Sequence, residues 1–143
     1  MTSETQVGPT LLLLCVANSA RSQMAEGLAR ASAPTGWRVY SAGSQPTVVH
    51  PLAIEVMQEM GIDITNHSSK GLDEVPVEKA DYIITLCADE VCPVVSSSTQ
   101  RLHWPLPDPA SEGEMIRYQI ESFRDARDDI KRRLDKFWTE RAG

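Results

Sequence analysis

The chain has 143 residues, 41% of them apolar and 24% charged, and a formal net charge of −6. That size and composition suit a single domain over residues 1–143, with residues 1–8 flexible and an ordinary core that needs no disulfide staples. The acidic balance excludes the basic stripe of a nucleic-acid surface, and the apolar run at Leu11–Leu14 is far too short to cross a membrane.

In chain order, Thr10–Cys15 reads as a buried strand and Ser22–Ala31 as the helix that follows it. Arg38–Ser41 is a short strand ended by Ala42-Gly43. Leu52–Met60 is helical, because Pro51 suits a first helical position, Leu52, Val56 and Met60 share one face, and Gly61 stops the pattern. Asp81–Leu86 is a buried strand and Arg101–Trp104 a fourth. From Glu114 to Thr139, apolar residues recur at Ile116, Ile120, Phe123, Ile130, Leu134 and Phe137, interrupted by Arg127. This is one face of a long amphipathic helix, with Asp128–Arg132 and Asp129–Arg133 as opposite-charge pairs on its wet side. The alternation predicts an α/β fold, a four-stranded parallel sheet flanked by helices, with functional loops at the carboxyl ends of the strands.

The chemistry concentrates after the first strand. Cys15-Val16-Ala17-Asn18-Ser19-Ala20-Arg21-Ser22 joins a strand to a helix N-terminus, where backbone N–H groups of residues 16–22 and the helix dipole attract a tetrahedral oxyanion. Arg21 supplies a planar fork for two oxyanion oxygens, and surroundings of this sign favour the thiolate of a cysteine nucleophile. Cys87 and Cys92 flank four residues. If that segment is helical, their Cα atoms lie roughly 8.6 Å apart, beyond the roughly 7 Å that a disulfide spans. A bond between them requires local unwinding, which suits a redox switch better than a static staple. Asp108, between Pro107 and Pro109, is a candidate general acid for a leaving oxygen. No metal site is expected, since no second Cys/His pair accompanies Cys87 and Cys92, and His50, His67 and His103 are scattered. Three cysteines are an odd number for a secreted disulfide framework, and the first residues lack the features of a signal peptide. The expectation is a cytoplasmic monomer with reactive or buried thiols.

Together, Asn18–Gly27 (Asn-Ser-Ala-Arg-Ser-Gln-Met-Ala-Glu-Gly), the Ser41-Ala42-Gly43 turn, Thr85-Leu86-Cys87 and Asp108-Pro109 resemble the thioredoxin-coupled arsenate reductases built on the low-molecular-weight tyrosine phosphatase fold. The resemblance runs from about Thr10 to Trp138. It leans away from the phosphatases, which usually carry a second cysteine where Ala20 stands and aromatics where Ala110 and Ser111 follow the Asp-Pro. It implies a three-thiol cascade for arsenic detoxification. Cys15 attacks arsenate held by the loop and Arg21 while Asp108 protonates the departing oxygen, and Asn18 and Ser22 orient the loop. Cys87 then attacks Cys15 and releases arsenite, Cys92 attacks Cys87, and thioredoxin reduces the Cys87–Cys92 pair. Phosphate and sulfate become competing oxyanions, and no tightly bound cofactor is implied.

The family usually places about six residues between the relay cysteines, so the shorter spacing here leaves glutathione–glutaredoxin and mycothiol open as reductants. Some members bind potassium through positions equivalent to Asn18, Glu26, Ser41 and an acid near Lys70; here the Lys70 ammonium is expected to replace the cation. Two other readings stay open. One is a low-molecular-weight phosphotyrosine or aryl phosphatase using Cys15, Arg21 and Asp108, and the other is a non-catalytic thiol protein that captures arsenite or a metal.

Overall fold

A computed structural model of the protein describes residues 8–87, 100–110 and 116–142. Strands β1 (Thr10–Cys15), β2 (Arg38–Gly43), β3 (Tyr82–Thr85) and β4 (Gln100–His103) form one parallel sheet in the order β2-β1-β3-β4. Helices α1 (Arg21–Ser32), α2 (Pro51–Gln58) and α3 (Ile116–Ala142) accompany them. The strand order reverses beside β1, which places a crevice outside the carboxyl ends of β1 and β3, the usual ligand position in open parallel sheets.

β1 is buried along its whole length because both faces of the sheet are covered. Leu11 and Leu13 face a cluster built with Met24 and Leu28 of α1, Val56 and Met57 of α2, and Phe123, Ile130 and Leu134 of α3. Leu12 and Leu14 face the other side, where Val75, Ala80 and Ile83 cover them with help from Leu72 and Val77. All three helices therefore contribute to one face. The opposite face is closed by the 3₁₀ turns Leu72–Glu74 and Val77–Lys79, which carry no periodic signature in the sequence.

Element identities agree with the sequence pattern, and the differences lie at the ends. β2 runs on through Ala42 and Gly43 because Gly43 pairs with Cys15 on one side and bridges Gly71 on the other. α2 begins at Pro51, capped by the His50 side chain, and ends two residues before the expected Met60. The expected start of the long helix at Glu114 lies outside the described residues.

The pairing on α3 also differs in part. Asp129 receives both Arg132 and Arg133, whereas Asp128 pairs with Arg127, so the expected Asp128–Arg132 pair is not what forms. Asp129 sits three residues before Arg132 and four before Arg133, so one carboxylate reaches both. Arg127 interrupts the apolar stripe because its guanidinium reaches the end of α2. It donates to the Val56 carbonyl and to Glu59, each at 2.8 Å.

Glu59 ties α2 to α3 by accepting from Arg124 (2.7 Å) as well as Arg127, and these donors lower its pKa from 4.5 to about 2. A carboxyl with a depressed folded-state pKa stabilises the fold fully above its unfolded value, and the contribution is lost as pH falls toward the folded one. Glu59→Gln should therefore lower the melting temperature at pH 7. Between about pH 4.5 and about pH 2 it should lose less stability than the wild type. Thermal melts across that range check both slopes.

Candidate active site

The loop after β1 turns on Asn18, whose backbone adopts a left-handed conformation (φ +48°) that asparagine tolerates better than most residues. Its buried side chain then works in two directions. Nδ2 donates to Ser22 Oγ (2.8 Å) and Ser41 Oγ (3.0 Å), while Oδ1 accepts from the Lys70 amide (2.7 Å) and Gln23 Nε2 (2.9 Å). The loop carbonyls are also engaged by neighbouring segments. Val16 O accepts from Gln45 N, Ala17 O from Thr47 N and Ser69 Oγ, and Ser19 O from His50 N. With its carbonyls bonded to those segments and α1 starting at Arg21, the loop has the construction of an anion cradle at a helix N-terminus.

Gly43 fits this packing because it has no side chain. A Cβ there would overlap Val16 O and lie 2.8 Å from Asn18 N, both backbone atoms of the loop.

Cys15 is a free, buried thiol at the end of β1. Its sulfur lies 2.9 Å from Ser22 Oγ, and since Asn18 donates to that oxygen, the hydroxyl proton is available to the sulfur. Arg21 is 5% exposed, and its Nη1 donates to the carbonyls of Leu106 (3.0 Å) and Leu86 (3.4 Å). The chain leaving β3 and the chain leaving β4 thus both orient the guanidinium. A cavity of about 130 Å3 is lined by Cys15, Ala17, Ser19, Ala20 and Arg21 of the loop, together with Thr47, His50, Asp108 and Ala110. Asp108 Oδ1 accepts from the Ala110 amide at 3.0 Å, which turns the Pro107–Ala110 loop back on itself.

Cys87 comes two residues after β3. The Leu86 amide donates to the Leu14 carbonyl at 2.9 Å, so the register of β1 with β3 carries on to set Leu86 level with Cys15 and Cys87 one residue further along. Cys87 is buried and disulfide-bonded. Cys92 lies outside the described residues.

Beneath the loop, Glu26 is a buried carboxylate 4% exposed. Burial alone would raise its pKa, but the Ser41 hydroxyl, Lys70, His67 and Arg30 together hold it below the ordinary value. Lys70 Nζ lies 3.5 Å from Glu26 Oε1 and Arg30 Nε 2.9 Å from Oε2, so an ammonium stands where the resemblance implied a cation. The positively charged surroundings do not fit a potassium ion in addition.

Over residues 10–142 the chain matches the low molecular weight phosphotyrosine protein phosphatase family. It is 40% identical over 130 residues to an arsenate reductase from Staphylococcus aureus, an alignment covering 90% of this chain and 95% of that one. The chain belongs to this family, among its arsenate reductases. Among solved structures, it is similar to an arsenate reductase in the phosphate-binding state (TM-score 0.78, 31% identity, 93% of this chain and 98% of that one). It is also similar to a thioredoxin-dependent arsenate reductase from Corynebacterium glutamicum (TM-score 0.72, 31% identity, 96% of this chain and 65% of that one).

Of the residues singled out in the sequence, the low-molecular-weight phosphatase fold brings Cys15, Ala17, Ser19, Ala20, Arg21 and Asp108 to one cavity, whose lining does not include Val16, Asn18 or Ser22. It places Cys87 two residues beyond the end of β3. Thr47 and His50 also line the cavity and were not singled out. Pro51 was a signal for His50, since a proline at the first helical position makes the preceding residue the helix cap.

Gly43→Ala should destabilise the protein by about 3 kcal/mol, as expected when a side chain is forced onto backbone that cannot yield. It should also weaken binding of inorganic phosphate to the reduced protein. Chemical denaturation and phosphate titration measure the two effects.

Proposed function

We propose that this chain reduces arsenate to arsenite with its own three thiols and passes the resulting disulfide to thioredoxin. The observation that carries this reading is the shared lining of one small cavity by Cys15, Arg21 and Asp108, with Cys87 following the strand beside β1. The family match and the arsenate reductase relatives support it.

In the proposed sequence the loop N–H groups and Arg21 hold arsenate, a tetrahedral anion resembling phosphate in charge and shape. Cys15 Sγ attacks arsenic, and Asp108 protonates the oxygen that leaves as water. The Cys87 thiolate then attacks Cys15 Sγ. The S–As bond breaks with its electron pair going to arsenic, which departs as arsenite, and a Cys15–Cys87 disulfide remains. Cys92 attacks Cys87, freeing Cys15 and leaving Cys87–Cys92 for the external reductant. The two electrons come from the thiols, so no tightly bound cofactor is required. The disulfide-bonded state of Cys87 beside a free Cys15 suits the last step. Thiol chemistry of this kind suits the reducing cytoplasm, and no helix among the described residues is long and apolar enough to cross a membrane.

Arsenite production should be supported by thioredoxin, thioredoxin reductase and NADPH. Turnover with glutathione–glutaredoxin alone would move the reductant away from thioredoxin. Cys87→Ser should abolish reductase turnover while sparing slow hydrolysis of an aryl phosphate, and equal loss of both would count against the relay. Asp108→Asn should lower kcat by about 10²-fold or more, the scale of general acid catalysis. Because Lys70 stands beside Glu26, reductase rates should be the same in potassium and sodium salts of equal ionic strength. Specific activation by potassium would overturn that assignment.

A further inference from the structure

We propose that His50 is a substrate-binding residue whose imidazole, held as the Nε2–H tautomer, donates a hydrogen bond to an oxygen of the tetrahedral anion in the loop cavity. This rests on the oxyanion reading of that cavity and adds a donor from outside the loop and from outside the cysteine relay.

Three observations fix the residue. Its backbone N–H donates to Ser19 O at 3.0 Å, which ties it to the loop itself. Its ring Nδ1 accepts from the Leu52 amide at 3.0 Å as the cap of α2. An acceptor at Nδ1 has no proton there, so the neutral ring carries its proton on Nε2. The ring also packs against Phe123, with centroids 4.7 Å apart, so it is braced by the core as well as by the helix end.

His50 shares the cavity wall with Cys15, Ser19, Arg21 and Asp108. Burial favours the neutral ring, against the opposing pull of the Asp108 carboxylate. A neutral imidazole committed at Nδ1 is a donor of fixed direction. It can meet an anion oxygen without adding a charge that would compete with Arg21. As one of the groups lining the cavity, it selects an oxyanion that presents a further oxygen to it.

Two substitutions separate this role from capping. In His50→Asn the amide oxygen takes the place of Nδ1 and keeps the cap, but the side chain stops short of the Nε2 position. In His50→Gln the amide nitrogen reaches the Nε2 position, and the cap is lost. Inorganic phosphate is titrated calorimetrically into each fully reduced protein, with thermal melts alongside. The expected result is a His50→Asn protein with unchanged melting temperature and phosphate affinity reduced about tenfold, the scale of one hydrogen bond to a charged group. His50→Gln should melt lower and retain affinity within about threefold. Wild-type affinity in His50→Asn, or equal weakening in both variants, would overturn the inference and reduce His50 to a helix cap. A wild-type protein that binds no phosphate would instead overturn the oxyanion reading itself.

Discussion

The geometry of the cavity depends on the Asn18 side chain. A loop that turns its backbone through a left-handed residue has little intrinsic reason to hold one shape, and Asn18 supplies that reason from within. One amide group joins the loop to α1 through Ser22, to β2 through Ser41, and to residues 68–70 through the Lys70 amide. Each partner is buried or half-buried, so each bond is made where water competes poorly and where leaving it unmade is costly. Cys15 inherits this order, since Ser22 is the group that meets its sulfur.

Glu26 supports the same network from below. A buried carboxylate is costly unless it is paired, and here Ser41, Lys70, His67 and Arg30 surround it. The Ser41 hydroxyl donates to Glu26 and accepts from Asn18, so charge beneath the loop and conformation within it are linked through one side chain. His67 adds a second layer by bonding Gln23, which in turn holds Asn18. This arrangement uses three segments apart in sequence, residues 18–30, Ser41 and residues 67–70.

Much of this was legible in the residues alone, for identifiable reasons. Leu11–Leu14 is apolar without alternation, which marks a strand covered on both faces. Cys15 and Arg21 bracket small residues before a helix, which marks a tight strand-to-helix loop. Arg127 broke the helical stripe of α3 and could not be placed from periodicity, because its partners, the Val56 carbonyl and Glu59, are set only by the packing of α2 against α3. The covering of the second sheet face by residues 72–80 was invisible, since short 3₁₀ turns leave no repeat to read. Thr47 and His50 reach the cavity through backbone bonds to loop carbonyls, contacts that no local pattern announces.

The position of β4 at the margin of the sheet bears on how the protein tolerates crowding. Among the described residues β4 pairs with β3 alone, so its outer rim of N–H and C=O groups could accept a strand from another molecule. Gln100, Arg101 and His103 are exposed there, and Arg101 places charge on a strand only four residues long. Short, polar and charged rims are poor templates for edge-to-edge addition. This protection extends to the chemistry, because the chain leaving β4 supplies the Leu106 carbonyl that orients Arg21 and then the loop that carries Asp108. A foreign strand captured at this rim would pull on the groups that line the cavity, so the same polar residues guard against aggregation and keep the cavity in register.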